Sequence, residues 1–160
     1  MSKEKDIETR AKDHLESRME DLGFLYNTFD PPDEWDDETW ETAEDFGITK
    51  DMTENQIYDC IYASRNEYGL SFDYVAPNTF NDQEIGYFRY QISWGGPSEE
   101  IRFYVDYGKN PYKIEFWFLD WFTGHGIKLD GEYLDIAKEI FQDFDSMEMV
   151  EHTYNEAMGE

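Results

Sequence analysis

Apolar residues in the first part of the chain recur at the three- and four-residue spacing of an amphipathic helix. Ile7, Ala11, Leu15, Met19, Leu22 and Tyr26 share one face of it, and Gly23 offers a C-terminal stop. Pro32 is placed to open a second, short helix and Gly47 to close it, with Trp35, Thr39, Ala43 and Phe46 as an inward stripe. Thr53-Glu54-Asn55-Gln56 has the form of a capping box. It predicts a third helix that buries Ile57, Ile61 and Ser64 and ends near Gly69.

After Gly69 the period falls to two. Phe72 and Tyr74 form one short run, and Phe88, Tyr90, Ile92 and Trp94 alternate with Tyr87, Arg89, Gln91 and Ser93. Ile101, Phe103 and Val105, then Ile114, Phe116 and Phe118, repeat the pattern. Gly95-Gly96-Pro97-Ser98 and Gly108-Lys109-Asn110-Pro111 separate these runs as turns, and a short strand is expected after Gly124-His125-Gly126. Leu134, Ala137, Ile140, Phe141 and Phe144 then predict a last helix. The expected fold is α+β: an antiparallel meander of three to five strands flanked by N-terminal and C-terminal helices, one sheet face covered by them. A single domain spans 1–160, with a helical part at 1–69, a sheet at 70–130, and a C-terminal helix and acidic tail at 131–160.

Composition changes this picture in one respect. Hydrophobic residues make up 39% and aromatics 18%, enough for a core despite a mean hydropathy of -0.83. Asp and Glu number 38 against 13 Lys and Arg, a net charge of -25. Solubility alone is served by a charge of magnitude about 2–8. Halophilic adaptation, a generic acidic surface and drift are the plain explanations for the excess; a dedicated interaction surface is the functional one. The same charge disfavours nucleic acid and anionic lipid as direct ligands.

The single cysteine, Cys60, allows no intrachain disulfide. The segment Met1 to Asp6 lacks the form of a secretory signal, and no apolar run approaches the roughly 18 residues of a membrane span. These features lead to the expectation of a cytoplasmic protein.

Candidate chemistry is sparse. His14, His125 and His152 are far apart in sequence and form no metal-type pair. The acids of Asp30 to Glu41 fall at calcium-loop offsets but lack the central glycine. Cys60 beside Ile61 suits a small core residue better than a reactive thiol. His125 near Asp120, Trp121 and Phe122 could line a polar pocket, although an exposed hairpin residue is the simpler reading. Gly95-Gly96 has neither the lysine nor the helix start of a phosphate loop. No catalytic residue, metal or cofactor is expected, and the chain is expected not to be an enzyme.

The informative stretch is acidic. No Lys or Arg occurs from Glu20 to Thr49, nor after Lys138. Asp33, Glu34, Asp36, Asp37, Glu38, Glu41, Glu44 and Asp45 give one charge per roughly 2.5 Å on a helix, against about 1.7 Å of axis for duplex DNA. Trp35 and Trp40 lie among them as possible anchors. On one helix, Asp33–Asp37, Glu34–Glu38, Asp37–Glu41 and Glu41–Asp45 are like-charge neighbours that together cost roughly 1–2 kcal/mol. Conflict of this sort is expected at functional sites. Averaged over a globular surface, the charge is only one per roughly 330 Å², against roughly 100 Å² for DNA, so imitation of DNA requires clustering.

In composition and size the chain resembles the DNA-mimic inhibitors of phages and mobile elements, the antirestriction and anti-CRISPR proteins. Glu20, Asp21, the acids from Asp30 to Asp45, and Asp143, Asp145, Glu148, Glu151 and Glu156 carry that resemblance. These inhibitors share no single fold. The resemblance implies a protein–protein interaction in which carboxylates occupy the nucleic-acid channel of a basic nuclease, restriction or CRISPR complex, or of a repair enzyme. The charge clusters in residues 20–49 and 139–160, Asp143, Asp145, Glu148 and Glu151 among them; whether the two segments form one continuous acidic face, as imitation of DNA requires, is left open by the sequence. Two rivals are an acidic adaptor or chaperone-like binder of a basic protein, and an enzyme built on Asp120 and His125. Tyr87, Tyr104 and Trp117 offer a further docking face if the helices leave that side of the sheet open.

Overall fold

The computed structural model describes residues 3–28 and 30–159; Met1, Ser2 and Glu160, at the ends of the segments above, lie outside it. Five helices and a five-stranded antiparallel sheet make an α+β fold. The first helix, α1 (Lys3–Asn27), runs past the expected stop at Gly23. Gly23 is a packing notch: a Cβ placed there would come within 3.3 Å of Ile136 on α4 (Gly131–Ser146), so its absence lets the two helices cross closely.

The second predicted helix is broken in two. Pro32–Glu34 forms a single 3-10 turn, Trp35 is extended, and α2 (Asp37–Asp45) starts afresh from Asp36. The Asp36 carboxylate accepts from the Thr39 backbone N–H at 2.8 Å and its hydroxyl at 2.7 Å, replacing the hydrogen bonds the helix start lacks. Gly47, at φ +81°, does end this segment as expected. The third helix, α3 (Glu54–Tyr68), carries the predicted reciprocal capping box between Thr53 and Gln56.

Strands β1 (Ser71–Val75), β2 (Tyr87–Ser93), β3 (Ser98–Val105), β4 (Pro111–Asp120) and β5 (Thr123–Lys128) pair in chain order, every pair antiparallel. Two details differ from the expected pattern. Trp94 does not continue the inward row of Phe88, Tyr90 and Ile92, because the register shifts between Gln91 and Ser93 and β2 ends there. Gly124-His125-Gly126 is not a turn but the body of β5. Leu119 and Trp117 lie flat across the two glycines, where a Cβ would come to 2.7 Å and 2.4 Å of them.

Phe88, Phe103, Phe116 and Phe118 are fully buried against the helices, aromatic bulk doing the work of aliphatic packing. α1 and α4 pack on each other and on the sheet, and α2 and α3 pack on α1. The expected acidic tail is a helix, α5 (Met149–Met158), laid against β1 with Val150 and Thr153 inward. On the opposite side of the sheet, Tyr87 and Tyr104 are buried, so the docking face expected of them with Trp117 is not exposed. The Arg102 guanidinium packs 4.8 Å from the Tyr87 ring centre and 4.2 Å from that of Trp117, while Lys113 covers Tyr104.

Candidate partner-binding surface

All eight expected acids of the α2 region, Asp33, Glu34, Asp36, Asp37, Glu38, Glu41, Glu44 and Asp45, are exposed. The break at Trp35 changes their energetics. Asp33 and Glu34 belong to the separate 3-10 turn, so Asp33–Asp37 and Glu34–Glu38 are not neighbours on one α-helix. Of the four pairs expected one turn apart, Asp37–Glu41 and Glu41–Asp45 remain, costing about 0.4–1 kcal/mol together. Asp37 and Glu38 occupy the first turn, where the helix dipole favours anions. The Asp36 carboxyl is held below the usual carboxylate range by the Thr39 hydroxyl and backbone N–H.

Trp35 is not an exposed anchor. Its indole N–H donates to the Asp30 carbonyl at 2.9 Å, and its ring meets Phe24 and Trp40 edge-on in the core. Trp40 is half-buried, with the Lys50 ammonium 5.6 Å over its ring.

Residues 139–160 are not what adjoins the acids of α2. Glu38 lines a groove of about 430 Å³ with Glu16 and Glu20 of α1 and Glu132 at the start of α4. Glu16 and Glu132 also both act, after burial, to raise the Tyr133 phenol. Asp143, Asp145, Glu148 and Glu151 lie at the other end of α4 and on α5, about 20 Å along the α4 axis from Glu132. Asp145, Glu148 and Glu151 are exposed. Asp143 is half-buried instead, facing a small cavity with Tyr26, Arg65 and Tyr90. The acids that join α2 are therefore those of α1 and the start of α4.

Charge is sharply polarised by element. Residues 1–69 carry 20 acids and 7 bases, and residues 131–160 carry 9 acids and 1 base. The sheet region, 70–130, carries 9 acids and 5 bases. Residues 1–69 and 131–160 together thus hold 21 of the 25 net negative charges.

A buried cluster fixes that layer to the sheet. Glu99, almost fully buried at the start of β3, takes a two-pronged contact from Arg18 of α1 at 2.7 Å and 3.1 Å. It also accepts from the Ser93 hydroxyl at 2.8 Å and lies 3.1 Å from His14. Arg18 reaches on to Tyr68, whose hydroxyl donates to Asp21 at 2.7 Å. Burial alone would raise the Glu99 carboxyl, but Arg18, Ser93 and His14 outweigh it and hold it below the usual range. Nothing in the sequence distinguishes Glu99 from the other acids, because its partners come from α1 and the last residue of β2.

Asp120 is committed to Arg10 at 2.6 Å, and His125 sits within β5 opposite Phe118. Cys60 is half-buried and donates its thiol to the Phe46 carbonyl at 3.3 Å. Among the described residues no three His, Cys, Asp or Glu side chains converge as metal ligands do, and no helix is long and apolar enough to cross a membrane.

One feature absent from the expected site is aromatic. Trp94, in the β2–β3 turn, is 76% exposed; Trp121 and Phe122, the two residues of the β4–β5 turn, are 87% and 99% exposed. The sequence signal was present in the Asp120-Trp121-Phe122-Thr123 run, which is too short of glycine and asparagine for an ordinary two-residue hairpin. Comparison with known proteins finds no matching family model, no matching curated protein and no matching solved structure, so the functional reading rests on this surface chemistry.

Proposed function

We propose that the chain is a non-enzymatic inhibitor that binds a basic nucleic-acid-binding surface of a defence or DNA-processing enzyme in the cytoplasm, setting carboxylates where phosphates would lie. The observation carrying this reading is an exposed acidic surface on α2 that Glu16 and Glu20 of α1 and Glu132 at the start of α4 extend, while α1 as a whole mixes acids with bases and is tied to the sheet by the Arg18–Glu99 cluster. Over the whole surface of 10022 Å² the net charge is one per about 400 Å², far below the roughly 100 Å² of DNA. Clustering on the helical layer narrows that gap.

The test is competition. Purified restriction endonuclease, CRISPR effector nuclease and DNA-repair glycosylase are each loaded with labelled duplex and titrated with the protein. Displacement from at least one is expected, and joint reversal of Asp37, Glu38 and Glu41 to lysine should weaken it by about tenfold or more. Asp36 is left intact because it caps α2. No displacement from any of the three, or displacement indifferent to the reversal, sinks the reading. Binding to lysine-rich peptides without displacement of duplex would point instead to an acidic adaptor.

A further inference from the structure

The two aromatic hairpin tips lie at the same end of the sheet, in adjacent turns. Ser98, just after the first turn, pairs with Leu119, just before the second. The β4–β5 turn has two residues, because Asp120 pairs with Thr123. Such turns favour Asn-Gly or Gly at positions of positive φ. Here Trp121 holds φ +55°, a conformation that costs a bulky residue about 1–2 kcal/mol. The chain thus keeps two nearly fully exposed aromatics in this turn, one of them, Trp121, at a backbone position that glycine would occupy with less strain.

The tip is also braced. Asp120 is gripped by Arg10 of α1, whose guanidinium lies 5.1 Å over the Phe118 ring, and the Thr123 hydroxyl donates to the Asp120 carbonyl at 3.1 Å. With the base of the turn held in this way, the backbone that carries the two aromatics loses little further freedom on binding, which suits an anchor. The Arg10–Asp120 contact ties the tip to the N-terminal part of α1, and the exposed acids Asp13, Glu16 and Glu20 lead from there along α1 to the groove with Glu38.

We propose that Trp121 and Phe122, with Trp94 beside them, form an aromatic plug that enters an apolar pocket on the same basic protein to which the acidic layer binds. This rests on the function proposed above and adds its point of anchorage. Charge selects the partner class: a net charge of -25 repels nucleic acid, anionic membranes and a second copy of the chain, and attracts a basic protein. Salt-sensitive acids would then guide the encounter, while buried aromatics hold the complex.

The test uses the full chain carrying Trp121→Gly with Phe122→Asn, which places glycine at the one central position of positive φ and should unfold at the same temperature or higher. Affinity is measured for whichever of the three enzymes the unaltered protein displaces from DNA, at about 0.05 M and about 0.5 M salt. A loss of about thirtyfold at both salt concentrations is expected, whereas the effect of reversing Asp37, Glu38 and Glu41 should shrink at high salt. Affinity within about twofold of the unaltered protein at both concentrations overturns the plug while leaving the inhibitor reading intact. Failure of the unaltered protein to bind any of the enzymes overturns both. Aromatic-dependent binding to phosphatidylcholine vesicles, or a dimer abolished by the double substitution, overturns the plug in favour of lipid or a second copy.

Discussion

A carboxylate taken out of water beside a sheet costs several kcal/mol unless charged or hydrogen-bonding partners meet it. Glu99 has Arg18, Ser93 and His14, and is held ionised by them. Glu99→Ala is therefore expected to cost about 3–5 kcal/mol at pH 7, chiefly by leaving Arg18 without its counter-charge. Because the folded carboxyl lies below its unfolded value, the unfolded chain binds more protons as pH falls through that window. Glu99's stabilisation is full above the ordinary carboxylate value of about 4.3 and is lost as pH drops through the depressed one. Thermal unfolding followed by circular dichroism should show a gap between the two proteins that narrows from pH 7 to pH 3; a gap constant with pH would refute the ionic origin of the effect. This residue was illegible in the sequence, as one acid among 38. Its role comes from partners 81 and 85 residues away, which no local pattern records.

Along α2, the electrostatic conflict visible in the sequence has shrunk to Glu41 between Asp37 and Asp45. Glu41→Lys turns both like-charge contacts into attractive ones, a change of about 1 kcal/mol toward stability. If α2 binds a basic surface, the same substitution should weaken displacement of duplex, so stability and inhibition should move in opposite directions. Thermal unfolding and the competition titration on one preparation would check this; a stabilised variant that inhibits fully would remove α2 from the interface. Other element-level features were legible to differing degrees. Hydrophobic period gave α1, α3, α4 and the meander, because each buries one face. Glycine was ambiguous: Gly47 stops a segment at positive φ, whereas Gly23 makes room for Ile136, and Gly124 and Gly126 for Leu119 and Trp117. Those roles are set by neighbours from other elements. Asp36 was one of several aspartates able to cap a helix here, Asp30 and Asp33 among them, so the break before α2 was not legible from residue type alone.

For the molecule as a whole, the exposed acids were legible as exposed, but their grouping was not. The crossing of α1 and α4 decides it, bringing Glu132 rather than Glu148 or Glu151 towards Glu38. That grouping implies opposite salt dependences for folding and for binding. Self-repulsion within the helical layer opposes the compact state, and its range contracts from about 30 Å at 0.01 M salt to about 8 Å at 0.15 M. The buried Arg18–Glu99 contact is screened far less. The unfolding temperature should therefore rise over this interval. Partner affinity should fall over the same interval, because attraction between the acidic layer and a basic channel is screened while the aromatic contribution is not. Unfolding and affinity measured in the same buffers give two slopes of opposite sign. Affinity independent of salt, beside a rising unfolding temperature, would mean that the charge burdens the fold without guiding recognition, and phosphate mimicry would be excluded.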